Sequence, residues 1–138
     1  MKVVLEQNPI AKARHRHFQR GSKSVTFDPQ SKDVERTRLL VLSKMLENGL
    51  NFAQDGALHM NLTLYTPIPK SWSRKRQNSF DGKPCLSRPD LDNYIKFYAD
   101  VLNGLAYHDD KQITSLCAEK VYSSKPRVEI VIEQIREN

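Results

Sequence analysis

The sequence predicts an α+β fold: a single domain spanning residues 1–138, with a mostly antiparallel sheet and two main helices packed on one face. Three observations predict it. Residues 57–65 alternate strictly, with Leu58, Met60, Leu62 and Leu64 on one side and His59, Asn61, Thr63 and Tyr65 on the other, which is the period of a half-buried strand. Two longer stretches, 31–48 and one beginning near 90, repeat their apolar residues at helical spacing. Read end to end, the order is strand, basic loop, strand, helix, strand, basic segment, helix, strand, strand, the mixed order of an α+β domain.

The elements follow in turn. Val3, Val4 and Leu5 read as a first short strand, broken by Asn8-Pro9. Ser24 to Phe27 is a second extended piece, giving a hairpin around Gly21, and Asp28-Pro29 marks a turn. The helix over 31–48 has a broad apolar face built from Val34, Val41, Met45 and the group Leu39, Leu42 and Leu46, with Gly49 placed to end it. Residues 71–78 read as a short helix or as a segment ordered by its ligand. After the second main helix, 113–122 is a weak strand. Arg127 to Ile135 alternates Val128, Ile130 and Ile132 against Glu129, Val131 and Glu133. With only Ser123, Ser124, Lys125 and Pro126 between them, these last two runs look like an antiparallel hairpin.

Composition narrows the function. A chain of 138 residues suits one domain, and a net charge of +6 with pI near 9.4 points to a polyanionic partner. Cys85 and Cys117 form neither a CxxC pair nor a zinc pattern and read as free thiols of a reducing compartment. No apolar run is long enough to span a membrane, and the N-terminus lacks the apolar core of a signal peptide, so the expected location is cytoplasmic. The positive charge is concentrated in two segments. The first carries Lys12, Arg14, Arg16 and Arg20 around His15, His17 and Phe18. The second carries Lys70, Arg74, Lys75 and Arg76 between Trp72 and Phe80. Basic side chains interleaved with aromatics suit contact with a nucleic-acid backbone and bases. The plainer reading is two solvated loops, with Trp72 as a small apolar anchor and the histidines as surface residues.

Against this basic background, residues 88–113 hold five aspartates: Asp90, Asp92, Asp100, Asp109 and Asp110. As a helix from Asp90, the stretch buries Leu91, Tyr94, Ile95, Tyr98, Val101, Leu102 and Leu105, and aligns Asp92, Lys96 and Asp100 on the opposite side. Arg88-Pro89 starts it, Asn103-Gly104 stops it, and Asp90 sits where an N-cap would. Asp109 and Asp110 follow in the next loop. Should that loop fold back, the carboxylates would repel one another unless a cation lay between them. Oxygen donors without Cys or paired His select Mg²⁺ or Mn²⁺, and Lys96 would supply positive charge beside it, an arrangement suited to phosphodiester hydrolysis. Structural readings stand beside this one: Asp90 as a cap, Lys96 in an i,i+4 surface pair, and Asp109-Asp110 as a turn.

The sequence Pro-Asp-Leu-Asp-Asn from Pro89, with Lys96, Asp100 and the later Asp109-Asp110-x-x-Ile113, resembles the RusA family of Holliday-junction resolvases. The resemblance is dense over 88–113 and thins elsewhere, with Lys120 a further match. It implies a small Mg²⁺-dependent endodeoxyribonuclease, often prophage-borne, that acts as a homodimer on four-way junctions in recombination and repair. By position it assigns the metal-binding and catalytic aspartates to Asp90, Asp92 and Asp110 and the helix lysine to Lys96, and it places a basic substrate loop after the first strand. The competing hypothesis is a non-catalytic nucleic-acid-binding module whose aspartates are caps and ion-pair partners. An enzyme of small phosphate esters is disfavoured, because no Gly-rich phosphate cradle is present.

Overall fold

The computed structural model describes residues 1–13, 30–50 and 54–136, together with the backbone of 16–20 and 23–27. The chain runs β1 (Lys2–Leu5), β2 (Arg16–Arg20), β3 (Lys23–Phe27), α1 (Ser31–Glu47), β4 (Leu58–Pro67), α2 (Arg74–Phe80), α3 (Leu91–Val101), β5 (Ile113–Ser123) and β6 (Arg127–Gln134). A single 3-10 turn, Asp110–Gln112, precedes β5. The sheet order is β1-β6-β4-β5, and β2 and β3 form a separate antiparallel hairpin. The expected α+β class is the observed one.

The alternation of β4 determines how the layers form. Its Leu58, Met60, Leu62 and Leu64 are fully buried, as are Val128, Ile130 and Ile132 of β6 and Val3 and Leu5 of β1. These side chains make one apolar sheet face, and the helices cover it. From α3 come Tyr94, Phe97, Tyr98 and Val101; from α1 come Thr37, Val41 and Met45. Phe97 joins the stripe expected on α3, while Leu91, Ile95 and Leu105 pack at its margin. On α1 the buried stripe is narrower than the sequence suggests. Leu39 and Leu46 are 66% and 63% exposed, because the helix inserts only its 37-41-45 edge between β1 and α3.

The last two strands correct the sequence reading. β5 and β6 are not a hairpin: β4 lies between them, pairing parallel with β5 and antiparallel with β6. Parallel pairing needs a long crossover, and residues 68–112, which contain α2 and α3, provide it. Residues 124–126 then carry the chain across the end of β4, over two strand spacings or roughly 10 Å.

Hydrogen bonds hold the N-terminal segment against α3 and against the start of α1. The buried Tyr98 hydroxyl donates to Gln7 Oε1 at 2.7 Å and accepts from the Ile10 amide at 3.1 Å. The Lys12 amide donates to the Asn93 carbonyl at 2.9 Å. Gln30 accepts from the Ala13 amide through Oε1 at 2.6 Å and donates to the Ala11 carbonyl through Nε2 at 2.7 Å, closing the base from which the β2–β3 hairpin leaves. Arg14, His15, Gly21 and Asp28-Pro29 lie outside the described residues, as do the side chains of Arg16, His17, Phe18 and Arg20.

Tyr98→Phe keeps the ring but leaves the Ile10 amide and the Gln7 side chain without their partner. It should cost about 1–3 kcal/mol, read as a lower midpoint in urea denaturation at unchanged slope.

Candidate active site

The site is built around the two ends of α3. At its start, Arg88 and Pro89 are joined by a cis peptide, and Asp90 takes the N-cap position with extended backbone, φ −68° and ψ 148°. The Asp90 side chain makes no capping hydrogen bond, so the capping role read from sequence is not the one it plays. The loop before it is braced from β5. Lys120 Nζ donates to the Ser87 carbonyl at 2.6 Å and to the Pro89 carbonyl at 2.8 Å. Tyr122 shares a 2.7 Å hydroxyl hydrogen bond with Ser87. Lys120 therefore reaches the site through the backbone that presents Asp90. One turn into α3, Lys96 Nζ lies 3.7 Å from Asp92 Oδ2, with both side chains largely in solvent.

The far end carries a second acidic group. Asp109 caps the 3-10 turn: its Oδ1 accepts from the Lys111 amide at 2.9 Å, while Gln112 Oε1 accepts from the amides of His108 and Asp109. That amide contact holds the Asp109 carboxyl below its ordinary range. Asp110 behaves oppositely. Partial burial, then the hydrogen bond and negative charge of Asp109, then the charge of Asp100, push its carboxyl up, and the Asn103 side-chain amide only partly offsets them. Asn103 gives the amide to Asp110, and its Oδ1 is buried without a partner among the described residues. Asp100, aligned with Lys96 in the sequence, instead pairs with Lys12 Nζ at 2.8 Å.

Asp90 and Asp92 thus flank the first turn of α3, and Asp110 lies beyond its last. An eleven-residue helix spans roughly 16 Å at 1.5 Å per residue, so the two acidic groups sit about a helix length apart. Among the described residues, no three His, Cys, Asp or Glu side chains come together in an arrangement that could hold a metal ion. In donor chemistry the groups suit a hard divalent cation: they offer only carboxylate oxygens, and the crowding felt by Asp110 is what a cation would relieve. Within one chain they are not gathered around a common point.

The second basic segment forms a small unit of its own. Ser73 caps α2 by accepting from the Arg76 amide at 3.2 Å. Trp72 packs on Phe80 and Tyr122 with ring centroids 5.1 and 5.4 Å away, and the Arg76 guanidinium lies 3.9 Å over the Trp72 ring. Trp72 is therefore an anchor, and among the described residues Arg74 and Lys75 are the basic side chains of α2 that are exposed and make no ring contact. Lys70 opens onto a cavity of about 390 Å³ lined by Gln77, Asn78, Asp81 and Ser124. Because Tyr122 joins both this unit and the Ser87 loop, α2 is fixed beside the approach to Asp90. Asn103, Tyr122 and the capping role of Asp109 escape sequence reasoning. The one available signal is Asp109-x-x-Gln112, a capping-box spacing.

A chain with acidic groups at both ends of one helix, hard-ion donors and a basic helix beside the first of them has the character of a nuclease. Residues 6–133 match the family described as Endodeoxyribonuclease RusA, and the chain belongs to that family. It is 34% identical over 140 residues to the uncharacterized protein YqaN of Bacillus subtilis strain 168, covering 98% of this chain and 96% of that protein. It is 48% identical over 50 residues to the crossover junction endodeoxyribonuclease rusA of Lactococcus phage r1t, covering 36% of this chain and 38% of that one.

A raised folded-state carboxyl pKa means that ionising Asp110 opposes folding. The penalty is absent below the pKa of the unfolded carboxyl and complete above the folded one. Asp110→Asn should therefore raise the melting temperature in metal-free buffer at neutral pH, and the gain should shrink as pH falls through the carboxylate range. Melting curves of both proteins across pH 3–8 read this directly.

Proposed function

We propose that this chain is a Mg²⁺-dependent, homodimeric Holliday-junction resolvase of the cytoplasm, of the kind prophages carry, with Mn²⁺ able to replace Mg²⁺. One observation carries the reading: in a chain of the RusA endodeoxyribonuclease family, Asp90 stands uncapped beside Asp92 and Lys96, on a loop that Lys120 and Tyr122 hold in place. Asp90, Asp92 and Asp110 hold the ion. When bound, it supplies charge neutralisation at the scissile phosphate and a more acidic water. Lys96 adds positive charge at the phosphate oxygens. Arg74 and Lys75 hold the DNA backbone on one side of the site, with Lys70 and Arg76 behind them. Arg14, Arg16 and Arg20 add basic side chains for the same backbone, and Lys12 acts beside α3 through Asp100.

The separation of the acidic groups supports the homodimer. A two-fold pair that sets α3 of one protomer antiparallel to α3 of the other brings Asp90 and Asp92 of one copy to Asp110 of the other. Each dimer then holds two equivalent sites, matching the two equivalent strands of a junction. The separation of the carboxylates within one chain also favours a second reading, a binding module without chemistry. A labelled four-way junction beside a linear duplex of the same sequence, in Mg²⁺ and in EDTA, decides between them. The resolvase gives symmetric, Mg²⁺-dependent nicks confined to the junction; the module binds and leaves every strand intact.

Asp92→Asn should abolish cleavage and spare junction binding, since losing an acid does not weaken phosphate contacts. Full cleavage by that variant would sink the assignment. Mixing inactive Asp92→Asn with inactive Asp110→Asn should restore nicking to about one quarter of the wild-type level, because half the dimers are mixed and each carries one intact site. Sites contained within one chain would gain nothing from mixing.

A further inference from the structure

The loop that presents Asp110 has no buried side chain from His108 to Gln112, so hydrogen bonds rather than packing set its place. One side chain makes most of them. Gln112 Oε1 accepts from the His108 and Asp109 amides at 2.8 and 3.1 Å, and Gln112 Nε2 donates to the Gln54 and Gly56 carbonyls at 2.8 and 3.0 Å. A glutamine amide has two lone pairs and two N–H groups, so its whole capacity is used. The two halves of that amide reach different parts of the chain. The oxygen binds the turn that carries Asp110. The nitrogen binds the segment that leads into β4, whose first residue, Leu58, is fully buried in the core. The Gln54 amide adds a 3.0 Å hydrogen bond to the Ala106 carbonyl, upstream of the turn. A further link between the same segments, Asp55 Oδ1 to His108 Nε2 at 2.9 Å, joins two side chains that stand largely in solvent, where such a pair is worth little.

We infer that Gln112 is a positioning residue for the metal-binding carboxylate of Asp110. This role rests on the resolvase reading above and extends it to a residue that acts through another. The need for it lies in the charges. Asp110 feels the negative charge of both Asp109 and Asp100, and like charges drive a mobile carboxylate away from its neighbours. In an exposed loop, directed hydrogen bonds are what oppose that drive. Gln112 opposes it twice, by closing the turn through its oxygen and by fastening the turn to the start of β4 through its nitrogen. The carboxylate is then in place before a cation arrives, and binding does not have to order the loop. Without the bracket the loop samples other positions, and cation affinity falls in proportion to the time spent outside the working one. Once the ion is bound, the chemistry at the phosphate is the same. The signature of this role is a higher Mg²⁺ requirement at an unchanged maximal rate.

The test uses the full chain, with Mg²⁺ as the probe. Gln112→Met keeps the length of the side chain and removes its hydrogen bonds. Gln112→Glu keeps the acceptors that face the turn and removes the donors to Gln54 and Gly56. In Gln112→Met, the Mg²⁺ concentration for half-maximal junction nicking should rise roughly tenfold, as for a loop in its working position about one tenth of the time, with the maximal rate within about twofold of wild type. The rise in melting temperature that a fixed Mg²⁺ concentration produces should shrink in the same variant, which reads binding without catalysis. Asp55→Ala, which cuts the exposed link alone, should leave both readouts at their wild-type values. A merely structural glutamine would lower the melting temperature of the metal-free protein and leave the Mg²⁺ dependence of both readouts where it was. That result, or an equal shift in Asp55→Ala, would overturn the assignment. If Gln112→Met does not fold, Gln112→Glu decides by the same two readouts, with a shift in the same direction expected. A wild type that Mg²⁺ stabilises but that never nicks a junction would refute the resolvase reading, while the melting shifts still decide the role of Gln112, so the two can fail separately.

Discussion

Two cations from distant parts of the chain fix α3, and the rest of the architecture is arranged around them. Lys120 binds the carbonyls of Ser87 and Pro89 just before the first turn. Arg38 Nη1 of α1 binds the carbonyls of Val101 and Asn103 just after the last, at 2.8 and 2.6 Å. The second contact places a positive charge at the negative end of the helix dipole and satisfies carbonyls that the helix itself leaves unpaired. The first satisfies the carbonyls of a loop that has no ladder to join. Between them the buried stripe of α3 is pressed on the sheet, and Gly104, with φ +77°, turns the chain out toward the Asp109-Asp110 loop.

The electrostatics of the domain are divided in the same way. Five of the chain's 16 acids lie at or near the ends of one helix, and each end handles them differently. At the start, Asp92 is balanced by Lys96 in water, where such a pair is worth little. At the end, Lys12 neutralises Asp100, backbone amides absorb the charge of Asp109, and Asp110 carries what is left. Strain of this sort costs stability and is kept where a ligand can relieve it.

Much of this was legible in the sequence where one physical signal acted alone. β4 and α3 follow clean periods, and their bounds and buried faces agree with the pattern apart from Phe97. The pairing of the last two strands was not legible, because a short Ser/Pro turn between alternating runs has the same signature whether the runs pair with each other or flank a third strand. Burial on α1 was misjudged for a related reason: Leu39, Leu42 and Leu46 satisfy a helical stripe as well as Thr37, Val41 and Met45 do, and only the position of β1 and α3 selects between them. In the site, the pattern puts Asp90 and Asp92 at the start of a helix and Asp110 in the loop after it, without showing whether that loop folds back to bring them together. Sequence spacing records distance along the chain, whereas Asp109 is set apart from Asp110 by a local hydrogen bond to the Lys111 amide.

The pairing of β1 with β6 also shapes how the protein comes into being. The amino group of Met1 donates to the Ile132 carbonyl at 2.8 Å, and Val3 lies opposite Ile130. The first strand synthesised must therefore wait for the last. Until residues 127–134 have left the ribosome, β1 has no neighbour and β4 is paired on one side at most, so the apolar face of the sheet cannot close. Closure of the core is thus deferred until the last strand of the sheet has been made, and until then the apolar side chains of β4 stand open to whatever else the growing chain meets.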